Sequence, residues 1–365
     1  MQAGTKNLSI LSRETYFPHP APPAPKAERQ RILPVFTPQA GCRGRCIFCA
    51  QDKQTGKPGA TLEEALSLMT TSLQQEQERR TRGTASSNPL PEPLDVAFYG
   101  GSFTAIPMAW QRRFLDAITP FRRTGVVRAA RCSTRPDAVS PDHLAWLKTM
   151  GLDMVELGVQ TFDSATLLAA GRAHSPQDVF DGCAHVRQAG LTLGLHLLPG
   201  LPEHTVALFA QDVTTCLTIK PDTVRLHPCL VLEGSGLEAL WRADLFRPWS
   251  LEETVRELAR AVLALWRGGV RVSRIGLAPE PSLEAAVLAG PRHPALGTMV
   301  RARALFAHIR EILDGRTARG LAAPQSVSGE FWGHGRELAG EYAALGLSPE
   351  RVIFQDREDF LLEYV

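Results

Sequence analysis

The sequence predicts an α/β fold: a partial (β/α)6 barrel followed by a small mixed C-terminal appendage. Three observations carry that expectation. Short apolar runs alternate with helical patterns six times between residues 32 and 280, as in a parallel sheet wound with crossover helices. Glycine, proline and polar residues gather where the runs end, the edge at which such folds bind ligands. The first of these ends leads into a loop with three cysteines, Cys42, Cys46 and Cys49.

The chain has 365 residues, 44% of them hydrophobic, enough for one large domain and a smaller one. The expected partition is an N-terminal proline-rich arm (1–31), a core (32–280) and a C-terminal segment (281–365) that caps the barrel or faces the substrate. A net charge of +2 points to no particular partner. Its distribution says more: residues 1–50 hold seven Lys/Arg against two Asp/Glu, and residues 101–140 repeat that ratio. Local basic surface attracts phosphate groups, although solvated helix faces explain scattered arginines more simply. No run reaches the apolar length of a membrane span, and the N-terminus has no hydrophobic signal core. Seven cysteines, three of them clustered, suit a reducing compartment better than a disulfide framework. A cytoplasmic protein without a membrane partner is expected.

Taken in order, the arm carries Pro18, Pro20, Pro22, Pro23 and Pro25 and reads as extended rather than packed. Residues 32–36 form the first strand and feed the cysteine loop. Residues 61–80 are helical in pattern, with Thr61 and Glu64 as a capping box; 82–93 is a loop. The run 94–99 enters Gly100-Gly101, and a helix begins near Pro107. Two glycines at a strand end let a ligand approach the backbone, and N–H groups there can hold a carboxylate. A Gly-Gly pair by itself is more often just a turn. Strand 128–134 leads to helix 141–150, and strand 153–160 to helices 164–170 and 175–189. Run 191–202 leads to helix 205–219, and run 222–232 to helix 251–266. Residues 271–277 are a further strand or a closing connection, and Gly234-Ser-Gly236 is a turn. Beyond the core come a loop (288–297), a basic helix (298–313), the aromatic and basic stretch Phe331-Trp332-Gly-His-Gly-Arg336, and a strand (351–355).

The cysteine loop has C-x-x-x-C-x-x-C spacing, with Phe48 before the third thiol. Thiolates at this density are metal ligands or disulfides. Four would close a zinc site or fill an iron–sulfur cube. Three on one loop leave a corner open, so that a 4Fe–4S cluster held there presents one iron to a small molecule. The alternative is a zinc knuckle with a distant fourth ligand, His19, Asp52 or Cys132. Cys132, Cys183, Cys216 and Cys229 stand singly in apolar surroundings and read as core residues. Cys229 also lies at the end of the sixth run.

This loop resembles the cluster loop of the radical S-adenosylmethionine (SAM) superfamily. The resemblance implies a 4Fe–4S cluster whose open iron chelates the amino and carboxylate groups of SAM. It also implies an electron donor such as flavodoxin or ferredoxin, and cleavage of SAM to methionine and a 5′-deoxyadenosyl radical. Gly100 and Gly101 stand where the superfamily contacts the SAM methionine moiety.

Within the superfamily, Ser133-Thr-Arg-Pro-Asp137, Val155-Glu-Leu-Gly-Val-Gln160, Gly171-Arg-Ala-His174, His196-Leu-Leu-Pro-Gly-Leu-Pro202 and Arg225-Leu-His-Pro-Cys-Leu are similar, in that order, to the catalytic subunit of Elongator. The similarity covers residues 32–280. It implies that Gln160, Arg172 and His196 face SAM, with Ser102 and Ser133 as secondary contacts and the backbone of 227–230 beside the adenine. Without it, Arg172 reads as a surface helix charge and His196 as a satisfied core histidine.

Two departures stand out. Elongator-type proteins and oxygen-independent coproporphyrinogen dehydrogenases usually carry Glu at the position of Ser133, where a hydroxyl makes only a weaker neutral hydrogen bond. Residues 281–365 are too few for an acetyltransferase fold of usual size, so no acetyl-coenzyme A site is expected and the match is to a shorter bacterial branch. Elongator's radical domain acts on a tRNA base, which implies a tRNA or other RNA substrate. Arg301, Arg303, Arg310 and Arg336, with Trp332, are the residues expected to grip it. The rival readings are a non-catalytic iron–sulfur redox sensor or RNA-binding protein, and a coproporphyrinogen dehydrogenase-like enzyme. The Arg-Pro-Asp and His-Leu-Leu-Pro stretches fit Elongator better than the last of these.

Overall fold

Seven parallel strands lie side by side in chain order in the computed structural model, which describes residues 13–22, 31–37, 39–56, 61–84, 92–278 and 280–365. They are β1 (Arg31–Phe36), β2 (Leu94–Tyr99), β3 (Val127–Thr134), β4 (Met154–Gln160), β5 (Thr192–Leu197), β6 (Thr223–Leu226) and β7 (Arg271–Ile275). The sheet curls into a half-barrel, the partial α/β barrel expected from the strand–helix alternation. It belongs to a compact unit formed by Pro23–Thr254 and Val270–Arg292.

Period-two alternation along each strand sorts the side chains. Phe98, Cys132, Leu157, Leu195 and Leu226 point toward the helices and are wholly buried. Each apolar side chain of this size contributes about 1.5–3 kcal/mol by leaving water. The opposite parity turns Asp95, Arg131, Glu156, His196 and Arg225 into the barrel. The helix Leu62–Thr84 begins as expected: Thr61 N donates to Glu64 Oε2 at 2.8 Å, and Glu64 N donates to Thr61 Oγ1 at 3.2 Å.

Some local expectations change. Residues 271–277, left open between strand and connection, supply β7, which pairs with β6. Its sequence, Arg-Val-Ser-Arg-Ile, is too polar to read as a buried strand, yet its backbone completes the sheet edge. The run 222–232 is not one strand. Pro228 has no N–H to donate, the parallel ladder ends at Leu226, and Val231–Leu232 pairs antiparallel with Val287–Ala289. Part of the expected loop 288–297 is thus a strand. Of the loop 82–93, residues 85–91 lie outside the described residues.

A second compact unit gathers the described residues of Met1–Pro22, with Val255–Gly269 and His293–Val365. Its four-stranded sheet runs in the order Arg13–Pro18, Asp359–Tyr364, Ala318–Pro324, Val352–Gln355. Residues 13–18 are therefore not part of a loose arm. Their prolines begin only at Pro18, so the preceding residues are free to pair, and Phe17 stacks on Phe360 at 5.0 Å. Pro23 and Pro25 of the expected arm lie outside the described residues.

The aromatic stretch is also corrected. Phe331 is wholly buried and stacks on Tyr342 at 4.3 Å, and Trp332 packs edge-on against both rings. Trp332 is thus partly buried against a hydrophobic cluster, with the Arg336 guanidinium 5.7 Å from the centre of its ring. Arg301 is bonded to Glu330 at 2.7 Å and Arg303 to Glu341 at 3.0 Å. No helix among the described residues is long and apolar enough to cross a membrane.

Candidate functional site

A cavity of about 620 Å³ opens inside the half-barrel, at the C-terminal ends of its strands. Cys42, Cys46, Cys49, Gly100, Gly101, Ser102, Ser133, Gln160, Arg172 and His196 all line it. The structure therefore brings all ten residues expected at the cluster and SAM to one place, from positions spread over more than 150 residues.

The cysteine loop is pinned on three sides by backbone. Gln39 N donates to Gly100 O and Ser102 N donates to Ala40 O, both at 2.8 Å. A Cβ on Gly101 would sit 2.5 Å from Ala40 O and 2.6 Å from Thr37 O, and one on Gly41 would sit 2.3 Å from Ser102 O. Gly101 is thus required by the close approach of the cysteine loop itself, a role distinct from admitting a ligand. On the far side Ile47 N donates to Ala170 O at 3.2 Å, and Leu237 N donates to Ile47 O at 2.8 Å. Gly236 is more than a turn residue, because a Cβ there would come 3.0 Å from Ile47 Cβ.

Several side chains converge on the thiols. Arg172 Nη1 donates toward Cys46 Sγ at 3.4 Å, while Nη2 donates to Gly158 O at 2.6 Å. Ser102, buried, places Oγ 3.7 Å from Cys42 Sγ. Burial, then the neighbouring Cys46 and Cys42 charges, push the Cys49 thiol up to about 12, so the three sulfurs share one electrostatic neighbourhood. Gln160 closes β4 with a left-handed φ of 70°, a conformation that costs energy in a non-glycine residue and recurs at ligand sites.

The spacing allows two groups, a zinc ion with a distant fourth ligand and an iron–sulfur cluster. Cys132 is wholly buried on the helix side of β3, Asp52 faces Arg45 at 3.6 Å, and His19 belongs to the other unit, its ring against Trp266. Among the described residues no three His, Cys, Asp or Glu side chains converge as they would about a single ion. A cube of iron and sulfide holds its thiolates farther apart than one ion does. Three soft thiolates on one loop, with a cation beside Cys46, fit an iron–sulfur cluster.

Deeper in the barrel lies a polar group that the motifs did not single out. Glu156 is wholly buried, opposite Ser133 in the β3–β4 register. Arg225 Nε approaches its Oε1 at 2.7 Å, and His196 Nε2 lies 3.5 Å from the same oxygen. Burial alone raises a carboxyl pKa, but His196, Arg225 and Arg131 outweigh it and hold Glu156 at about 2. His196 and His227 are pushed below the usual histidine range by burial. Arg225 also bonds the Tyr99 hydroxyl and lies over its ring, 4.8 Å from the centroid. Inward parity was the signal: Glu156 alternates with Gly158 and Gln160 along a strand whose other residues are apolar. Cys229 is buried, its N donating to Pro199 O at 2.9 Å, as a core residue.

Comparison with known proteins fits this geometry. Residues 36–213 match the Radical SAM superfamily domain, and residues 221–305 match the Radical_SAM C-terminal domain. The chain belongs to the radical SAM superfamily. It is a radical SAM enzyme, and the family implies a 4Fe–4S cluster and SAM. It is 27% identical over 277 residues to the tRNA uridine(34) acetyltransferase of Methanocaldococcus infernus, covering 67% of this chain and 51% of that one. It is 26% identical over 204 residues to Elongator complex protein 3 of Homo sapiens, covering 50% and 37%. The fold resembles that of the archaeal M. infernus Elp3 (TM-score 0.57, 23% identity, 77% of this chain and 63% of that one). The chain spans about half the length of the archaeal relative and less of the human one.

Proposed function

We propose that this radical SAM enzyme binds SAM beside the cysteine loop and uses it to take hydrogen from a base of tRNA. The observation that carries the first half is the convergence of all ten sequence-selected residues on one cavity. When bound and reduced, the cluster and SAM supply the 5′-deoxyadenosyl radical. Cys42, Cys46 and Cys49 are the residues to hold the cluster. Arg172, fixed by Gly158 O, lends positive charge beside Cys46. Gly100 and Gly101 keep the loop against β2 where the SAM methionine moiety is to lie. Gln160 and His196 border the space left for the rest of SAM, and burial keeps the His196 imidazole neutral. Leu198, Leu230 and Leu232 give the cavity an apolar wall that excludes water from a reactive species.

The substrate half rests on the similarity to a tRNA uridine(34) acetyltransferase and to Elongator complex protein 3. Arg43 and Arg45, exposed on the cysteine loop, offer phosphate contacts beside the cavity. The test is anaerobic incubation of the reduced holoprotein with SAM, with and without tRNA. Methionine and 5′-deoxyadenosine should form slowly alone and faster with tRNA. With base-deuterated tRNA, deuterium should appear in the 5′-deoxyadenosine. No 5′-deoxyadenosine above a protein-free blank would leave a non-catalytic iron–sulfur protein. Formation that tRNA neither accelerates nor labels would remove tRNA as substrate.

A further inference from the structure

Among the described residues, the cavity in the barrel is lined by arginines without full carboxylate partners. Arg128, Arg131, Arg225 and Arg274 bring four guanidiniums to this region. Among the described residues, Asp95 and Glu156 bring two carboxylates. Asp95 is bonded to Arg128 at 2.9 Å and stands 3.6 Å from Arg131. Glu156 is taken by Arg225. His196 and His227 are neutral and add no anion. Arg131 has a side chain only 6% exposed, and its Nε and Nη2 make no hydrogen bond among the described residues. Among the described residues the Arg274 guanidinium has one hydrogen bond, Nε to Gly276 O at 3.1 Å. Burial and the nearby Arg225 push it below the usual arginine range. Arg131, Arg225 and Arg274 all line the cavity, and among the described residues no Asp, Glu or Lys does.

A guanidinium taken from water without a full partner is unfavourable by several kcal/mol. Two of them facing a cavity with low-dielectric protein walls focus a positive potential into it. The planar fork of arginine matches carboxylate and phosphate oxygens in pairs of hydrogen bonds. We propose that Arg131 and Arg274, with Arg225 between them, form an oxyanion-binding site that receives a phosphate or carboxylate group of the substrate. This rests on the cavity being the reaction chamber, and it narrows the substrate to one with an anionic group near its reacting carbon. The site adjoins the SAM position argued above, because His196 stands opposite Arg225 in the β5–β6 register. Arg172 and Gly100-Gly101 border the cysteine loop, whereas Arg225 and Arg274 stand on β6 and β7.

The test uses anaerobic holoprotein and calorimetric titration with inorganic phosphate or malonate, against chloride at matched ionic strength, with and without saturating SAM. Saturable binding that persists with SAM present is expected, and the tighter of the two anions identifies the substrate group. Arg274→Gln, at a half-exposed position, should weaken it about tenfold or more. Arg131→Lys, which keeps the charge but loses the fork, should also weaken it. Arg319→Gln removes a charge from an exposed position of the other unit and should leave it unchanged. No saturable binding, loss of binding on adding SAM, or equal affinity in Arg274→Gln and Arg131→Lys would each overturn the site. SAM cleavage measured on the same preparation separates the two readings. Anion binding without cleavage defeats the enzymatic proposal alone, and cleavage without anion binding defeats this one alone.

Discussion

Arg172 spans two strands' worth of chemistry: its Nη1 points at Cys46 Sγ from 3.4 Å while its Nη2 is held by Gly158 O at 2.6 Å. A surface helix charge would have neither contact. The carbonyl fixes the guanidinium, and the guanidinium stands against a thiol of the cysteine loop. Hydrogen bonds to cluster sulfurs raise reduction potential.

Arg172→Ala should therefore lower the cluster's reduction potential and weaken SAM binding while iron and sulfide content stay near wild type. Potentiometric titration followed by electron paramagnetic resonance, with SAM binding measured in parallel, checks both. Arg172→Lys keeps the charge but cannot serve both partners through one planar fork, and should fall between the two. An unchanged potential in Arg172→Ala would remove Arg172 from cluster tuning.

Gly101→Ala should disturb cluster retention without touching any thiol. A methyl at that position meets Ala40 O at 2.5 Å and Thr37 O at 2.6 Å, both backbone atoms that cannot rotate aside. Overpacking of this kind costs about 1–3 kcal/mol. The expected outcome is a lower iron content and a cysteine loop more accessible to thiol alkylation. Alanine at exposed Gly190, where a Cβ meets nothing within 4 Å, has a left-handed φ of 66° and should cost only local strain, with full iron content.

Glu156→Gln should destabilise the barrel strongly at neutral pH, because it leaves Arg225 buried without its carboxylate. Breaking a buried pair in this way costs about 3–5 kcal/mol. The carboxyl is held at about 2 against a usual 4.5. A depressed folded-state value means that its stabilisation is complete above 4.5 and disappears as pH falls toward 2. The gap in urea midpoint between wild type and variant should thus be widest at pH 7 and shrink below pH 4.5. A gap independent of pH from 7 to 3 would show that Glu156 does not owe its charge to these partners.

The architecture was legible in the sequence because strand parity and strand–helix alternation are local. The cysteine loop, the glycine pair and the ends of the third to fifth strands could be placed on one rim before any contact was known. What stayed hidden depends on pairing between distant segments. Gly236 looks like an ordinary turn until Ile47 is seen beside it. Residues 13–18 look like an arm until Asp359–Tyr364 pairs with them. Glu156 was visible as a charge at an inward position, but its partners Arg225 and His196 come from β6 and β5. Trp332 beside Arg336 resembles a stacking platform in sequence, and only tertiary packing reveals Phe331 and Tyr342 around it.

That packing separates two variants that the sequence alone would group together as RNA contacts. Trp332→Ala removes a ring from the cluster around Phe331 and Tyr342, and a loss approaching about 3 kcal/mol is expected, the low end for aromatic truncation because Trp332 is only partly buried. Its effect should appear as a lower melting temperature, with tRNA affinity at a temperature where the fold is intact close to wild type. Arg43 is exposed on the cysteine loop and lines the cavity, so Arg43→Ala should leave the melting temperature alone. If tRNA is bound there, affinity should drop steeply between about 50 and 200 mM salt, since each phosphate contact releases counterions. Losing one such contact should flatten the slope of log affinity against log salt by about one. Filter binding across that salt range, with both variants beside wild type, decides the matter. A slope unchanged in Arg43→Ala would move the phosphate contacts away from the cysteine loop. Weak tRNA binding in a fully folded Trp332→Ala would return that ring to the RNA surface.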